Sequence, residues 1–301
     1  MMPELRTAFG ERLQENVMLA PYTSARIGGP ADALIMVRSA DELADTVSQL
    51  WKMGARYTLL GGGSNVLVSD RGVRGVVLLN KAKEIRFESD PQPRVWAESG
   101  AGFSSLANRA AEHGFAGLEW AAAVPGTVGG AVYGNAGAFG GDMDGNLIFA
   151  ELLTGNGRER WPVEKMEYGY RTSVLKRSTL KFVILAAEMR LSQSTKEAVR
   201  FKISEFVSRR KSTQPPGASM GSMFKNPPGD YAGRLIEVAG LKGTRIGNAE
   251  ISTLHGNFFV NHGDTKASDI RALIEHAQKV VAEKCGTRLE LEIEMIGDWD
   301  K

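Results

Sequence analysis

The sequence predicts an α+β protein, and three observations predict this class. Residues 31–60 have the pattern of a small β-α-β unit. After the loop GGGSN the chain continues into β-branched residues, VLVSD, rather than into a helix. Residues 147–192 then contain three strand-like runs that are separated by turn residues, which is typical of antiparallel strands.

The first elements follow from periodicity and capping. ADALIMVR reads as a buried strand, and Ser39 with Glu42 three residues later forms a capping-box signature for a helix that ends at Gly54. RYTLL is the next strand. GVVLL, EIRF and RVWAES then have strand character, and the helix SSLANRAAEH stops at Gly114.

The second half is predicted in the same way. LIFAELLTGNG, RERWPV and KFVILAAEMRLS are expected to be antiparallel strands, and residues 195–213 form an amphipathic helix that ends before Gln-Pro-Pro-Gly. Beyond this break we expect a short helix at AGRLIEVAG, strands at AEIS and NFFVN, a helix over 267–284 and a last strand, RLELEIEMIG. The change in composition near residue 200 indicates a domain boundary.

Composition excludes several function classes. The 301 residues carry a net charge of +2 with scattered positive residues, which argues against a nucleic-acid surface. No apolar run approaches the roughly 18 residues of a membrane span, and the charged N-terminus does not resemble a secretory signal, so we expect a cytoplasmic protein. The single cysteine, Cys285, rules out an internal disulfide and is expected to be buried on a helix.

Two glycine-rich tracts are candidate ligand loops. In the first, Gly61, Gly62, Gly63, Ser64 and Asn65 follow a strand, and three glycines would let backbone N–H groups converge on a phosphate. Taken alone, this loop is equally consistent with a tight hairpin turn. The second tract, VPGTVGGAVYGNAGAFGG, interleaves glycine with Val, Tyr, Phe and Ala, which favours a ligand-cradling loop over a flexible linker.

Other candidate groups are weaker. The four histidines have no H-x-x-x-H pair and no cysteine partner, so no metal site is predicted. Ser219 lies in a G-x-S-x-G match, but Gln-Pro-Pro-Gly precedes it and excludes the strand that a nucleophile elbow needs. Ser222 has Lys225 and Asn226 nearby, a pattern that a capped loop also explains. In the last strand Glu290, Glu292 and Glu294 would share one face, which is a solvated edge unless that face lines a cleft.

Several motifs together resemble the UDP-N-acetylenolpyruvoylglucosamine reductase family, flavoproteins that complete UDP-N-acetylmuramate for peptidoglycan. The resemblance covers nearly the whole chain in order, from YTSARIGGPADALI through LLGGGSNVLVSD, VPGTVGGAVYGNAGAFG, YGYRTS, RRKSTQP, GSMFKNP, AGRLIEVAGLKG and NFFVN to LEIEMIG. It implies a vanillyl-alcohol-oxidase-type (PCMH-type) FAD-binding fold with a C-terminal α/β substrate domain. The expected parts are residues 1–70 and 71–200, which hold FAD, and 201–301, which bind the substrate.

The resemblance also implies site residues. FAD would be bound by the first glycine loop and by Pro125, Gly126, Thr127, Gly130, Asn135, Ala136 and Gly137. The first histidine is His113 and the only cysteine is Cys285, so neither lies in the Gly61 loop and we expect FAD to be noncovalent. Tyr170, Arg171, Lys225 and Asn226 are the expected substrate contacts.

The family chemistry implies roles for three catalytic residues. NADPH would reduce the flavin, which would pass a hydride to the enolpyruvyl methylene carbon of UDP-N-acetylglucosamine enolpyruvate. Arg171 would pair with the substrate carboxylate as an enolate develops, Glu292 would be its acidic partner, and Ser222 would donate the proton. Glu290 and Glu292 are not separated on physical grounds, since both would face the same way.

Two departures from the family pattern affect this reading. The 51-residue interval from Arg171 to Ser222 places the chain in the shorter subgroup, without the tyrosine-bearing loop of some members. Leu254-His255 stands where many members have Lys-His. A Ser219 hydrolase and a flavin-binding protein without catalysis are the alternatives, and we expect a monomer without nucleic-acid partners.

Overall fold

The computed structural model describes residues 1–299 and divides into two compact units. Unit 1 comprises Met1–Leu34, Gly63–Val77 and the chain from Lys211 onward, and unit 2 comprises Ile35–Gly62 and Leu78–Arg210. Each unit therefore combines segments that are distant in the sequence. The predicted division into residues 1–70, 71–200 and 201–301 stays a prediction.

Helices and strands are mixed along the described residues. The α-helices are α1 (Met2–Phe9), α2 (Ala40–Lys52), α3 (Phe103–Glu112), α4 (Val128–Gly134), α5 (Met143–Asn146), α6 (Val174–Arg177), α7 (Lys196–Thr213), α8 (Ala232–Val238) and α9 (Ala267–Cys285). Short 3₁₀ segments lie at Gly10–Arg12, Ala20–Tyr22, Glu119–Ala123 and Val163–Met166.

The strands are β1 (Leu13–Met18), β2 (Pro30–Val37), β3 (Tyr57–Leu60), β4 (Val66–Val68), β5 (Val73–Asn80), β6 (Ile85–Glu88), β7 (Arg94–Glu98), β8 (Phe115–Ala116), β9 (Gly137–Ala138), β10 (Gly141–Asp142), β11 (Leu147–Thr154), β12 (Gly157–Pro162), β13 (Phe182–Arg190), β14 (Ser192–Gln193), β15 (Arg245–Ile246), β16 (Ala249–Ile251), β17 (Phe259–Asn261) and β18 (Glu294–Ile296).

In unit 2 a five-stranded antiparallel sheet carries the core. Its order is β12-β11-β13-β7-β6, and α2 and α4 pack against β13. The apolar run of β13 is almost fully buried, as its sequence predicts. Ser39 caps α2 by accepting a hydrogen bond from the Glu42 N–H at 3.1 Å, and the chain leaves this helix through Gly54 in a left-handed conformation (φ +62°).

Unit 1 has its own core beneath α9. Strands β15, β16 and β17 form a small antiparallel sheet, and β18 pairs with β4 in parallel. Phe224 and Phe259 are fully buried in this core and meet edge to face, with 6.0 Å between ring centroids. This core holds the segment of Ser222 next to the C-terminal segment of the chain.

Two sequence predictions need correction. The last strand is confined to Glu294–Ile296, because residues 290–292 pair with 223–225 before the chain switches to β4, so that no single ladder runs through RLELEIEMIG. Cys285, expected to be buried, is half-buried. It is the last residue of α9, where the helix ends at Gly286 in a left-handed conformation (φ +67°).

Candidate active site

The two glycine-rich loops meet within unit 2. A Cβ atom on Gly61 would lie 2.6 Å from Thr127 Oγ1, and one on Gly62 would lie 3.0 Å from Gly126 Cα. Only glycine permits so close an approach. The family resemblance implied that both loops belong to one cofactor site, and in the structure the backbone of Gly61 and Gly62 contacts Gly126 and Thr127.

The rest of the first loop belongs to unit 1. The Gly63 carbonyl accepts a hydrogen bond from the Ser24 N–H at 2.9 Å, and a Cβ on Gly63 would overlap the Tyr22 carbonyl. Asn65 donates from Nδ2 to the Glu292 carbonyl at 3.1 Å and accepts the Glu294 N–H at 2.9 Å. The loop is thus tied to the segment of the predicted acidic residue.

The second tract begins α4. Thr127 caps this helix, with its Oγ1 3.5 Å from the Gly130 N–H. The N–H groups of Val128 and Gly129 donate to the carbonyls of Ala101 and Ser99 at 2.9 and 2.8 Å, so the start of the helix is docked on neighbouring backbone. Gly130 is different, because it is exposed and a Cβ there would have nothing closer than Thr127 Oγ1 at 3.8 Å.

These loops fit a bound flavin nucleotide. Gly62, Pro125 and Gly130 are exposed, and two of the three present backbone without a side chain. Such a surface lets a phosphate or a flat ring approach peptide groups closely. The residues that would hold FAD in unit 2 are Gly61, Gly62, Pro125, Gly126, Thr127 and Gly130, with Asn135, Ala136 and Gly137 at the other end of α4.

Asn135 connects α4 to the turn that carries Arg171. It ends the helix in a left-handed conformation (φ +47°) and is 7% exposed. Its Nδ2 donates to the Gly169 carbonyl at 3.0 Å, and its Oδ1 accepts the Asp144 N–H at 3.1 Å. The amide therefore fixes the distance between the predicted cofactor tract and the predicted carboxylate-binding turn.

The turn itself is a two-residue connection with Tyr170 and Arg171 at its tip. Gly169 and Thr172 exchange backbone hydrogen bonds of 3.1 and 3.2 Å. Arg171 has φ +55°, which is unfavourable for a side chain of this type and costs on the order of 1–3 kcal/mol. Its guanidinium carbon lies 5.6 Å from the Tyr170 ring centroid.

Contacts on both sides hold this strained turn. The Tyr168 hydroxyl donates to the Val132 carbonyl at 2.8 Å, and the fully buried Ser173 donates to the Tyr133 carbonyl at 2.6 Å. Burial raises the pKa of Tyr168, and the nearby Asp144 and Asp142 raise it further, so the phenol stays a neutral donor. Local strain maintained in this way is typical of functional positions.

Ser222 lies in unit 1 on a short extended segment with a partner on each side. It forms an isolated antiparallel bridge with Phe258, and the next residue, Met223, accepts the Glu292 N–H at 2.9 Å. The Lys225 N–H donates to the Glu290 carbonyl at 2.8 Å. Ser222 is half-buried, and the pairing on both sides holds its backbone in place.

The sequence analysis missed Asn257, which completes this arrangement. Its side chain accepts the Phe224 N–H at 2.9 Å and donates to the Phe224 carbonyl at 2.8 Å, as a paired strand would. Its carbonyl accepts the Met223 N–H at 2.8 Å. Asn257 is 3% exposed. A polar residue before the apolar run FFV must find partners when buried, and this was the available signal.

His255 orients Asn257. The imidazole Nδ1 accepts the Asn257 N–H at 3.2 Å, and the ring meets Phe258 edge to face with 4.9 Å between centroids. Burial lowers the pKa of His255 and nearby Lys242 lowers it further, while a hydrogen bond with its own backbone and nearby Glu237 oppose the shift. The neutral ring is therefore the form that supports the Ser222 segment.

The three glutamates do not belong to one continuous strand. Glu290 is exposed and pairs with Lys225, with Nζ and Oε2 3.5 Å apart. Glu292 is half-buried and is fixed through its backbone to Met223 and Asn65, and Glu294 is half-buried in β18. The prediction of one strand through all three glutamates was wrong, because the chain changes its pairing partner between Glu290 and Glu294. Their shared face stays a prediction.

The structure also places Asn226 and Ser219. Asn226 Oδ1 accepts the Ala232 N–H at 3.1 Å and so caps α8. Ser219 lies between α7 and α8, and among residues 1–299 neither a strand leads into it nor a helix starts at it. The context of a nucleophile elbow is absent there, which removes the support for a hydrolase.

Comparison with known proteins decides the family. Residues 212–296 match the family model "UDP-N-acetylenolpyruvoylglucosamine reductase, C-terminal domain", and residues 31–161 match an FAD binding domain. The UDP-N-acetylenolpyruvoylglucosamine reductase of Chloroflexus aggregans is 44% identical, over 94% of this chain and 97% of that protein. This chain belongs to the UDP-N-acetylenolpyruvoylglucosamine reductase family.

Further matches agree with this membership. The reductase of Bacillus subtilis is 40% identical over 99% of this chain and 98% of its own length. The crystal structure of the reductase from Thermus caldophilus superposes with a TM-score of 0.80 at 35% identity and covers 94% of this chain and 98% of that one. The predicted family, the FAD-binding fold with a C-terminal domain and the class of FAD-dependent oxidoreductase are thereby confirmed.

Proposed function

We propose that this chain reduces the enolpyruvyl group of UDP-N-acetylglucosamine enolpyruvate to UDP-N-acetylmuramate, with NADPH as co-substrate and noncovalent FAD. Family membership supports the reaction. One structural observation carries the residue roles: Ser222 and Glu292 lie on neighbouring segments of unit 1 that share backbone hydrogen bonds. Bound FAD would supply the hydride for the substrate methylene carbon.

Residues of this chain stabilise the negative charge on the substrate and supply the proton. Negative charge develops on the enolpyruvate carboxylate as the hydride arrives, and the Arg171 guanidinium pairs with that carboxylate. The Ser222 hydroxyl then gives its proton to the neighbouring carbon and regains one from solvent. A serine is a weak acid, so it donates only after a strongly basic enolate has formed.

Glu292 is the better candidate for the acidic partner. Asn65 and Met223 fix its backbone, whereas the Glu290 side chain is 73% exposed and already faces Lys225. We assign Tyr170, Lys225 and Asn226 to substrate binding, with Lys225 contributing positive charge near Ser222.

Two further expectations complete the proposal: the protein is a monomer and acts in the cytoplasm. Among residues 1–299, no helix has the length and apolar character to cross a membrane.

Half-reaction kinetics test these roles. In Ser222→Ala we expect flavin reduction by NADPH at the parent rate and flavin reoxidation by substrate slowed by about 10²–10³, the usual loss when one stabilising donor is removed. Stopped-flow absorption at the flavin band measures both steps. Ser219→Ala is the matched control and should leave both rates unchanged.

Two results would contradict the assignment. Equal slowing of both half-reactions in Ser222→Ala would show that the serine does not act as a donor to substrate. A comparable loss of reoxidation in Ser219→Ala would mean that the other serine carries the proton. Absence of substrate-dependent reoxidation in the parent protein would instead favour a flavin-binding protein without this catalysis.

A further inference from the structure

The hairpin that follows the predicted cofactor residues has an unusual turn. Strands β9 and β10 pair Ala138 with Gly141, which leaves Phe139 and Gly140 at the tip with φ +52° and +86°. A turn with positive φ at both central residues favours Asn-Gly. Phenylalanine is disfavoured at the first of these positions because its Cβ crowds the backbone there.

A contact with α7 accounts for this phenylalanine. The rings of Phe139 and Phe206 lie nearly parallel, at 7°, with 4.7 Å between centroids. The Arg209 guanidinium carbon lies 5.9 Å from the Phe139 ring, and the Lys202 ammonium lies 6.0 Å from the Phe206 ring. Stacking of this kind and attraction by the two cations offset the unfavourable backbone conformation.

The other side of the hairpin is also packed against an aromatic ring. A Cβ on Gly141 would overlap the indole of Trp120, so the strand lies directly on that ring. Trp120 donates from Nε1 to Asn146 Oδ1 at 2.9 Å and is itself buried. Within unit 2 the hairpin is therefore held at two points: Trp120 contacts Gly141, and Phe206 contacts Phe139.

We propose that Phe139 and Phe206 are positioning residues for FAD. The hairpin starts at Gly137 and follows Asn135 and Ala136 directly, so its orientation determines where these residues present their backbone. The inference rests on the proposed placement of FAD at residues 135–137. Loss of the stack leaves the strained turn without its partner, so the hairpin shifts away from the conformation that binds the cofactor.

A double-mutant cycle tests the coupling, with FAD affinity as the measurement. Apo-protein is titrated with FAD while flavin fluorescence is followed. Phe206→Ala should raise the Kd by about tenfold, which corresponds to about 1.4 kcal/mol. In a Phe139→Asn background the turn residue accepts positive φ, so Phe206→Ala should change the Kd by less than about twofold.

Matched variants separate the stack from general effects of altering α7. Phe201→Ala removes a phenylalanine that is 66% exposed on the same helix and should leave the Kd unchanged. Phe206→Tyr retains the ring and should restore the parent affinity. Hydrogen exchange in residues 136–142 of the FAD-bound enzyme should become faster in Phe206→Ala and stay at the parent rate in Phe201→Ala.

The outcomes distinguish this inference from the proposed cofactor site. Parent-like FAD affinity in Phe206→Ala, or an equal loss in both Phe139 backgrounds, overturns the positioning role even where Gly130→Ala weakens FAD binding. If Gly130→Ala and Phe206→Ala both bind FAD as the parent does, the cofactor placement fails and the inference fails with it. A Phe206→Ala protein that does not fold is replaced in the cycle by Phe206→Leu, which fills more of the space.

Discussion

At the scale of single residues, Asn257 has the largest effect that we expect on the Ser222 segment. Its amide pairs with both the N–H and the carbonyl of Phe224, which is itself fully buried. Asn257→Ala would leave a buried donor and a buried acceptor without partners, at about 1–3 kcal/mol each. We expect the free energy of unfolding to fall by about 3 kcal/mol, as measured by urea denaturation.

The same variant should affect catalysis selectively. A displaced Phe224 moves Ser222, two residues earlier in the same segment, so flavin reoxidation by substrate should slow while reduction by NADPH stays at the parent rate. Asn108→Ala, an exposed amide on α3, is the control and should change stability by at most about 0.5 kcal/mol. An unfolding curve for Asn257→Ala that superimposes on the parent curve would show that Asn257 does not support the segment.

At the scale of elements, α4 offers a test in which stability and cofactor affinity change in opposite directions. Gly130 and Gly134 both lie in this helix, and added Cβ atoms would meet no protein atom within 3.5 Å. Glycine to alanine stabilises a helix by up to about 1 kcal/mol. We therefore expect apo-Gly130→Ala to unfold at a higher temperature than the parent while binding FAD at least about tenfold more weakly.

Gly134→Ala is the matched control for that experiment. It should give a similar gain in the melting temperature of the apo-protein with FAD affinity unchanged, because Gly134 is not among the predicted cofactor residues. FAD titration and thermal denaturation of the two variants measure both quantities. Unchanged FAD affinity in Gly130→Ala would place the cofactor elsewhere than on the exposed face of α4.

Sequence reasoning succeeded where the local pattern determines the element. The apolar run of β13, the Ser39 cap of α2 and the helix α7 were all predictable from residues close in sequence. The helix within VGGAVYG was not predicted, since its three glycines weaken helix propensity and its start depends on Ala101 and Ser99. The last strand was too long because its ladder changes partner between residues 292 and 294.

At the scale of the whole molecule, the sequence did not reveal which segments fold together. Unit 1 takes residues 1–34 and 63–77 along with the chain from Lys211 onward. Such long-range pairing leaves no local periodicity. For the site, motif resemblance supplied Arg171, Ser222 and Glu292 as candidates. The partners of Asn257 and Phe206 became visible only in the structure, since buried polar groups and ring stacks depend on residues distant in sequence.

Global stability should depend on pH through His255. Burial lowers its pKa in the folded protein, so the unfolded chain, with a value of about 6.5, binds a proton first as pH falls. Above about pH 6.5 both states are neutral and His255 adds no slope. Between that pH and the lower folded pKa, the free energy of unfolding should decrease as the pH decreases. The decrease is at most about 1.4 kcal/mol per pH unit for one proton.

Urea unfolding at a series of pH values measures this contribution. His255→Gln keeps a side-chain carbonyl that can accept the Asn257 N–H but cannot take up a proton, so its stability should fall less steeply below about pH 6.5 than that of the parent. His276→Gln, at an exposed position on α9, is the control and should lose stability with pH as the parent does. If the parent and His255→Gln lose stability with the same slope, protonation of His255 is not what couples acid to unfolding, and the neutral ring is not required beside Asn257.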